Sequence, residues 1–219
     1  MKVKICGLTR PEDAVTAEEA GAAFLGTILA GGPRLVSLEQ AARVLGAPRA
    51  GIQRAAVFGE QSSAEIIDIA AQLSLDVLQL HHAPTANHVR ELRRATGRTV
   101  WPVLRVAGHA LPKEADALTA AADALVLDAM VVGQLGGTGV ALDWSALAAD
   151  LAAWRARFPD ATLVLAGGLR PGNVQEAIRL LSPTVVDVSS GVERAPGVKD
   201  PALVHQFVEA AHGAAESSR

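Results

Sequence analysis

The chain opens with KVKICGLTR at residues 2–10, and this stretch decides between two α/β architectures. Side chains alternate along a strand, so Lys4 and Cys6 share one face while Val3 and Ile5 share the other. The turn after the strand lacks the glycine pattern that opens a dinucleotide-binding fold. The opening therefore favours a barrel over an open doubly wound sheet.

Strands and helices alternate along the rest of the chain in eight β-then-α units, which predicts parallel strands joined by crossover helices. The predicted strands lie near residues 2–6, 22–29, 53–58, 75–80, 100–106, 123–128, 162–166 and 184–188. The predicted helices lie near 11–20, 37–46, 62–72, 85–95, 113–121, 143–156, 171–181 and 200–212. Eight such units close a single (β/α)8 TIM barrel. We expect one domain over residues 1–213, with 214–219 a disordered tail, and we expect the helix near 113–121 to be the weakest.

Composition limits the classes of function. The 219 residues are 50% hydrophobic and carry a net charge of −3, as in a soluble globular protein. There is neither a basic run nor a set of aromatic stacking residues, so we predict no nucleic-acid partner. Uncharged runs are short and broken by glycine, so we predict no membrane span. The one cysteine cannot form an internal disulfide, and the cytoplasm is the default location.

Functional groups of such barrels lie at the carboxyl ends of the strands and in the loops that follow. Cys6 ends the first strand and Asp128 ends the sixth, so the two side chains could face each other across the barrel. A thiol and a carboxyl group in that position could divide the proton transfers of an isomerisation. A positive charge beside Cys6 would lower the pKa of its thiol. The alternatives are an inert buried cysteine and an aspartate that caps its loop.

Glycine-rich loops allow backbone N–H groups to approach an anion, and barrels favour phosphate sites after strands seven and eight. Any one pair of glycines, taken alone, could instead serve only to form a turn. We predict that the loops after strands six, seven and eight converge on a phosphate. The residues predicted to bind it are Gly137, Gly139, Gly167, Gly168, Ser190 and Gly191.

Two further groups could bind ligands. Arg34, in the loop after the second strand, could grip a carboxylate through two hydrogen bonds, or could be a surface arginine. His81, His82 and His88 do not have the spacing of a zinc or facial-triad site, so we predict no metal.

The sequence resembles the phosphoribosylanthranilate isomerase family of tryptophan biosynthesis over nearly its whole length. The matching segments are KICGLT at 4–9, PR at 33–34, QLH at 79–81, LD at 127–128, GGTG at 136–139, DW at 143–144, LAGGL at 165–169, NV at 173–174, VDVSSGVE at 186–193 and GVKD at 197–200. Each segment is weakly specific alone, and the series in this order is highly specific.

The resemblance implies a barrel of the ribulose-phosphate-binding type that performs an Amadori rearrangement without metal or cofactor on a small phosphorylated substrate. Asp128 would then be the general acid and Cys6 the general base, while Arg34 would hold the anthranilate carboxylate. Asp187 would orient the substrate or Arg34, and Lys4 could keep Cys6 ionised.

The chain departs from the family pattern at His82, where glycine is common, and in the loop before Pro33. It also has Arg170 where an asparagine is common. Two rivals remain open from the sequence. The related isomerase of histidine synthesis has an aspartate in place of Cys6, and a barrel that binds a phosphorylated ligand without turnover would need neither Cys6 nor Asp128. The oligomeric state is open, with a monomer slightly favoured.

Overall fold

Eight parallel strands pair in sequence order in the computed structural model of the chain, which describes residues 1–46, 50–106, 110–129 and 144–216. Strand β1 pairs with β8, with Lys4 opposite Asp187, and this pairing closes the barrel. The strands are β1 Lys2–Ile5, β2 Phe24–Ile28, β3 Gln53–Phe58, β4 Val77–Leu80, β5 Thr99–Val106, β6 Ala124–Ala129, β7 Thr162–Leu165 and β8 Val185–Val188. The predicted (β/α)8 barrel is confirmed.

One helix follows each strand and packs outside the barrel. The helices are α1 Pro11–Glu19, α2 Leu38–Leu45, α3 Ser63–Gln72, α4 Ala86–Thr96, α5 Ala115–Thr119, α6 Trp144–Arg157, α7 Val174–Leu181 and α8 Pro201–Glu216. Side-chain caps fix several of their starts, as at Ser37, whose hydroxyl accepts a hydrogen bond from the backbone of Gln40. The predicted weak helix is the five-residue α5.

Two helix ends differ from the sequence prediction. Helix α7 begins at Val174 rather than at 171, because the Asn173 side chain accepts from the Arg170 backbone and holds these residues in a turn. Helix α8 continues to Glu216, so residues 214–216 are helical where the sequence predicts a tail.

The sequence analysis missed a small hairpin after β8. A short 3₁₀ turn at Ser190–Val192 leads into β9, Glu193–Ala195, which pairs antiparallel with β10, Val198–Lys199. The backbone N–H of Lys199 donates to the carboxylate of Asp13, so the hairpin is tied to helix α1.

Strand alternation divides the barrel interior into layers. The amino-terminal half of the interior is apolar, with Phe24 and Trp101 in edge-to-face contact among smaller aliphatic side chains. Two residues further along the strands, the inward positions become polar, as at Gln79 after Val77 and Asp187 after Val185. The apolar layer therefore forms a floor, and the polar side chains lie above it at the carboxyl ends. None of the described helices is both long and apolar enough to cross a membrane.

Candidate active site

A cavity of about 240 Å³ opens at the carboxyl ends of the strands. Its described lining includes residues from the ends of β1, β4, β6 and β8 and from the loops after β2, β7 and β8. Cys6 and Asp128 both line this cavity, as do Arg34 and Asp187. The structure thus brings together at one mouth the side chains that the sequence singled out.

Lys4 lies one layer deeper than Cys6 and is fully buried. Its Nζ donates to Oδ2 of Asp187 over 2.8 Å, and it also lies within hydrogen-bond reach of Cys6. Gly26 on the neighbouring strand makes room for this pair, because a Cβ there would lie 3.0 Å from Lys4 Cε and 3.2 Å from Cys6 Sγ. The absence of a side chain at Gly26 allows the ammonium group and the thiol to meet.

The protonation of Cys6 differs from the sequence prediction. Burial raises the pKa of the Cys6 thiol above its ordinary value of 9.0, and the attraction of Lys4, which lowers it, does not compensate. For Lys4, burial lowers the pKa, but Asp187 and Cys6 together raise it above its ordinary value. The predicted lowering of the pKa rested on the charge beside the thiol, but the loss of water on burial has the larger effect here.

Asp128 is contacted by His81, and His81 is in turn held by Arg105. Oδ2 of Asp128 lies 3.4 Å from Nε2 of His81, and the guanidinium of Arg105 lies 2.9 Å from Nδ1 of the same ring. Because an arginine can only donate, Nδ1 is the acceptor and Nε2 carries the hydrogen that points to Asp128. The Asp128 side chain is 18% exposed, so its carboxyl group remains open to the cavity.

Arg34 is positioned by a carboxylate that the sequence analysis did not identify. Its Nε and Nη2 donate to the two oxygens of Glu193 over 2.8 and 2.7 Å, and Nη1 makes no hydrogen bond to any described residue. Buried Lys199 donates to the same carboxylate over 2.8 Å and to the Ser189 carbonyl over 3.0 Å. Asp187 pairs with Lys4, and Glu193 rather than Asp187 orients Arg34; the other expected role of Asp187, to orient the substrate, stays a prediction.

The loops after β7 and β8 meet at the cavity. Gly167 and Gly168 line it with φ values of 87° and 66°, a left-handed conformation that favours glycine. Ser190 lines it from the other loop. Gly191 does not appear in the cavity wall, and a Cβ there would overlap the carbonyl oxygen of Leu169. Its glycine therefore serves the close approach of the two loops.

Asn173 fixes the first of these loops. Its Nδ2 donates to the Gly168 carbonyl over 2.9 Å, while its Oδ1 accepts from the Arg170 backbone over 2.8 Å. The predicted phosphate residues Gly137 and Gly139 lie outside the described residues.

The histidines have separate surroundings. His81 lines the cavity, whereas His82 is 56% exposed and lies 3.5 Å from Glu60 on the outer surface. His82, which stands where glycine is common in the family, is not part of the described cavity lining. Over the described ranges, no group of three or more acidic, histidine or cysteine side chains is arranged to hold a metal.

Comparisons with known proteins agree on one family. A model of the family described as N-(5'-phosphoribosyl)anthranilate (PRA) isomerase matches residues 3–210. The isomerases of that name from Paracoccus denitrificans and Caulobacter vibrioides are 39% and 41% identical, over 95% and 94% of both chains. A crystal structure of such an isomerase in complex with reduced 1-(o-carboxyphenylamino)-1-deoxyribulose 5-phosphate superimposes with a TM-score of 0.81, at 31% identity over 97% of this chain and 99% of the other.

Proposed function

The chain belongs to the N-(5'-phosphoribosyl)anthranilate isomerase family, and from that premise we propose that Cys6 and Asp128 are the catalytic residues of its reaction. The enzyme is an isomerase of tryptophan biosynthesis. It converts N-(5'-phosphoribosyl)anthranilate into 1-(2-carboxyphenylamino)-1-deoxyribulose 5-phosphate. The observation that carries the residue assignment is the presence of a thiol and a carboxyl group on the wall of one cavity.

Asp128 acts first, as the general acid. Its protonated carboxyl group transfers a proton to the furanose ring oxygen, the C1'–O bond breaks, and the nitrogen lone pair forms an iminium ion. The contact from His81 occupies Oδ2 as an acceptor, which leaves Oδ1 to carry the acidic proton toward the ligand.

Cys6 acts second, as the general base. The thiolate removes the proton from C2', and the electron pair of that bond neutralises the iminium to give an enolamine. The enolamine then tautomerises to the ketone. Lys4 supports this step, because its ammonium group stabilises the thiolate against the cost of burial.

The two charged ends of the substrate have separate partners. Arg34, held along one edge by Glu193, offers to the anthranilate carboxylate its Nη1, which has no partner in the described part of the chain. Backbone groups at Gly167, Gly168 and Ser190 hold the phosphate, a role that their place on the cavity wall supports, and Gly191 joins the two loops. We assign Gly137 and Gly139 to the same phosphate on the family resemblance alone.

Kinetics with phosphoribosylanthranilate test the catalytic pair. Cys6→Ala and Asp128→Asn should each lower kcat by about 10²- to 10⁴-fold, the usual contribution of a general acid or base. Asp160→Asn is the control, because Asp160 is exposed at the opposite end of the barrel. Turnover close to that of the wild type in either variant would remove that residue from the mechanism. Arg34→Ala should raise KM more than it lowers kcat.

A monomer in the cytoplasm completes the proposal. A single chain supplies both catalytic residues and Arg34 to the cavity, so no second copy is needed to assemble the proposed acid–base pair. Cys6 is a free thiol, and a reducing compartment keeps such a group available as a base. Size-exclusion chromatography with light scattering tests the oligomeric state.

A further inference from the structure

Three described residues of the cavity wall carry a buried polar atom without a hydrogen-bond partner. Two of these atoms, on Gln79 and Asp187, can only accept, whereas the third, the hydroxyl of Ser189, can also donate. Among the described residues, Oε1 of Gln79 and Oδ1 of Asp187 are buried without any hydrogen bond. The two residues are 5% and 6% exposed, and both line the cavity. Buried polar atoms are normally paired, and an unpaired one is costly, so these two oxygens call for a donor from a ligand.

Their position in the barrel is deep. Gln79 precedes His81 by two residues on β4, and Asp187 lies opposite Lys4, which precedes Cys6 by two residues on β1. Inward side chains two residues apart lie in successive layers. Gln79 and Asp187 therefore lie one layer below the groups that carry the acid–base chemistry, at the bottom of the cavity.

The chemistry of the two acceptors selects a neutral donor. A carboxylate oxygen can only accept, and Asp187 would repel an anionic group. An amide accepts at one end and donates at the other, so Gln79 suits a group that can do both. A hydroxyl group satisfies both residues, whichever way the amide of Gln79 is turned.

The substrate offers such groups. Its carboxylate is assigned to Arg34 and its phosphate to the loops after β7 and β8, which leaves the secondary hydroxyls on C2' and C3' of the ribose. We propose that Gln79 and the free oxygen of Asp187 form a subsite that binds these ribose hydroxyls. The proposal rests on the proposed function and adds a specificity-determining residue, Gln79, to it.

Binding of a stable ligand tests the subsite with the full chain. The probe is reduced 1-(o-carboxyphenylamino)-1-deoxyribulose 5-phosphate, compared with two analogues that lack the hydroxyl on C2' or on C3'. Sites that hydrogen-bond a substrate hydroxyl reject ligands without it. We expect at least one analogue to bind the wild type about 5- to 100-fold more weakly.

The variant Gln79→Leu isolates the glutamine. It should bind the complete ligand more weakly and should discriminate less against one of the two analogues. Gln53→Leu, at an exposed position of β3, is the control and should keep the discrimination of the wild type. Gln79→Met has a similar shape and replaces the leucine variant if that protein does not fold.

The outcomes separate the two proposals. Binding of both analogues within twofold of the complete ligand in the wild type would overturn the subsite, as would unchanged discrimination in the folded Gln79 variant. Normal turnover of phosphoribosylanthranilate alongside that result would leave the proposed function standing. If the wild type discriminates between the ligands but neither Cys6→Ala nor Asp128→Asn lowers turnover, the subsite is supported and the catalytic assignment is refuted.

Discussion

Replacement of Glu193 by glutamine should destabilise the protein far more than the same replacement in an exposed ion pair. Glu193 is the shared counter-ion of Arg34 and Lys199, with side chains that are 4%, 12% and 0% exposed. Glutamine keeps the shape and one acceptor oxygen but removes the charge. Two cations would then remain close together with little water and no neutralising partner.

The magnitude follows from the cost of an uncompensated buried charge. Removing one partner of a buried pair costs about 3–5 kcal/mol, and retention of an acceptor places this variant at about 3 kcal/mol. For a chain of this size, 1 kcal/mol lowers Tm by roughly 2–4 °C, so we expect a decrease of about 6–12 °C.

Glu39→Gln is the matched control. Glu39 pairs with Arg43 over 2.6 Å, but the two side chains are 81% and 61% exposed. Such exposed pairs contribute about 0.2–1 kcal/mol, so the control should lower Tm by no more than a few degrees. Differential scanning calorimetry measures both. Equal shifts in the two variants would show that burial does not strengthen the Glu193 pair and would refute the reasoning.

Acidification gives a second measurement on the same proteins. Burial by itself raises the pKa of Glu193, but Arg34 and Lys199 outweigh it and hold this pKa below the ordinary value of 4.5. A lowered pKa contributes stability that is fully present above the ordinary value and is lost as the pH falls through the lowered one. The difference in Tm between the wild type and Glu193→Gln should therefore be constant near neutral pH and should narrow below about pH 4.5.

Two further predictions concern the thiol. Because burial raises the pKa of Cys6, kcat/KM should rise with pH in the alkaline range. Lys4→Met should shift this rise to still higher pH, whereas Lys2→Met, at an exposed position, should leave it unchanged. If the pH at which kcat/KM rises is the same in Lys4→Met as in the wild type, the ammonium group of Lys4 does not stabilise the thiolate. Gly26→Ala should lower kcat about 10-fold or more, since a 1 Å displacement in an active site can cost 10²-fold. Unchanged kcat in a variant that melts like the wild type would show that Lys4 and Cys6 tolerate the added methyl group.

The fold could be predicted because its signal is local and repeated. Most of the eight barrel strands are largely apolar runs of four to eight residues, and several are followed by a helix that begins at a proline or a capping side chain, as at Pro11 and Ser37. The errors arise where the signal is short or ambiguous. Pro171 suggests a helix start, but the turn held by Asn173 delays α7, and the strands of the hairpin have only three and two residues. Strands that short carry no alternation to detect.

The site could be predicted only in part, for a different reason. The alternation rule and the positions of strand ends give Cys6, Asp128 and the glycine loops. The partner of Arg34 is 159 residues away along the chain, at Glu193, and no spacing rule connects the two. Gln79 was visible only as part of a family segment, because its importance comes from an oxygen left without a partner in three dimensions.

The charges of the site favour a fixed order of proton transfers. Burial is the main cost of a thiolate at Cys6 in the free enzyme and raises the pKa of the thiol, because Lys4 is already paired with Asp187 and its attraction does not outweigh the loss of water. In the proposed mechanism, ring opening by Asp128 creates a positive iminium ion at C1', the carbon next to C2', from which Cys6 would remove the proton. That cation compensates the thiolate at the moment when the base is needed. The proposed mechanism therefore predicts that protonation at the ring oxygen precedes proton removal at C2', and that the iminium would help Lys4 to stabilise the thiolate.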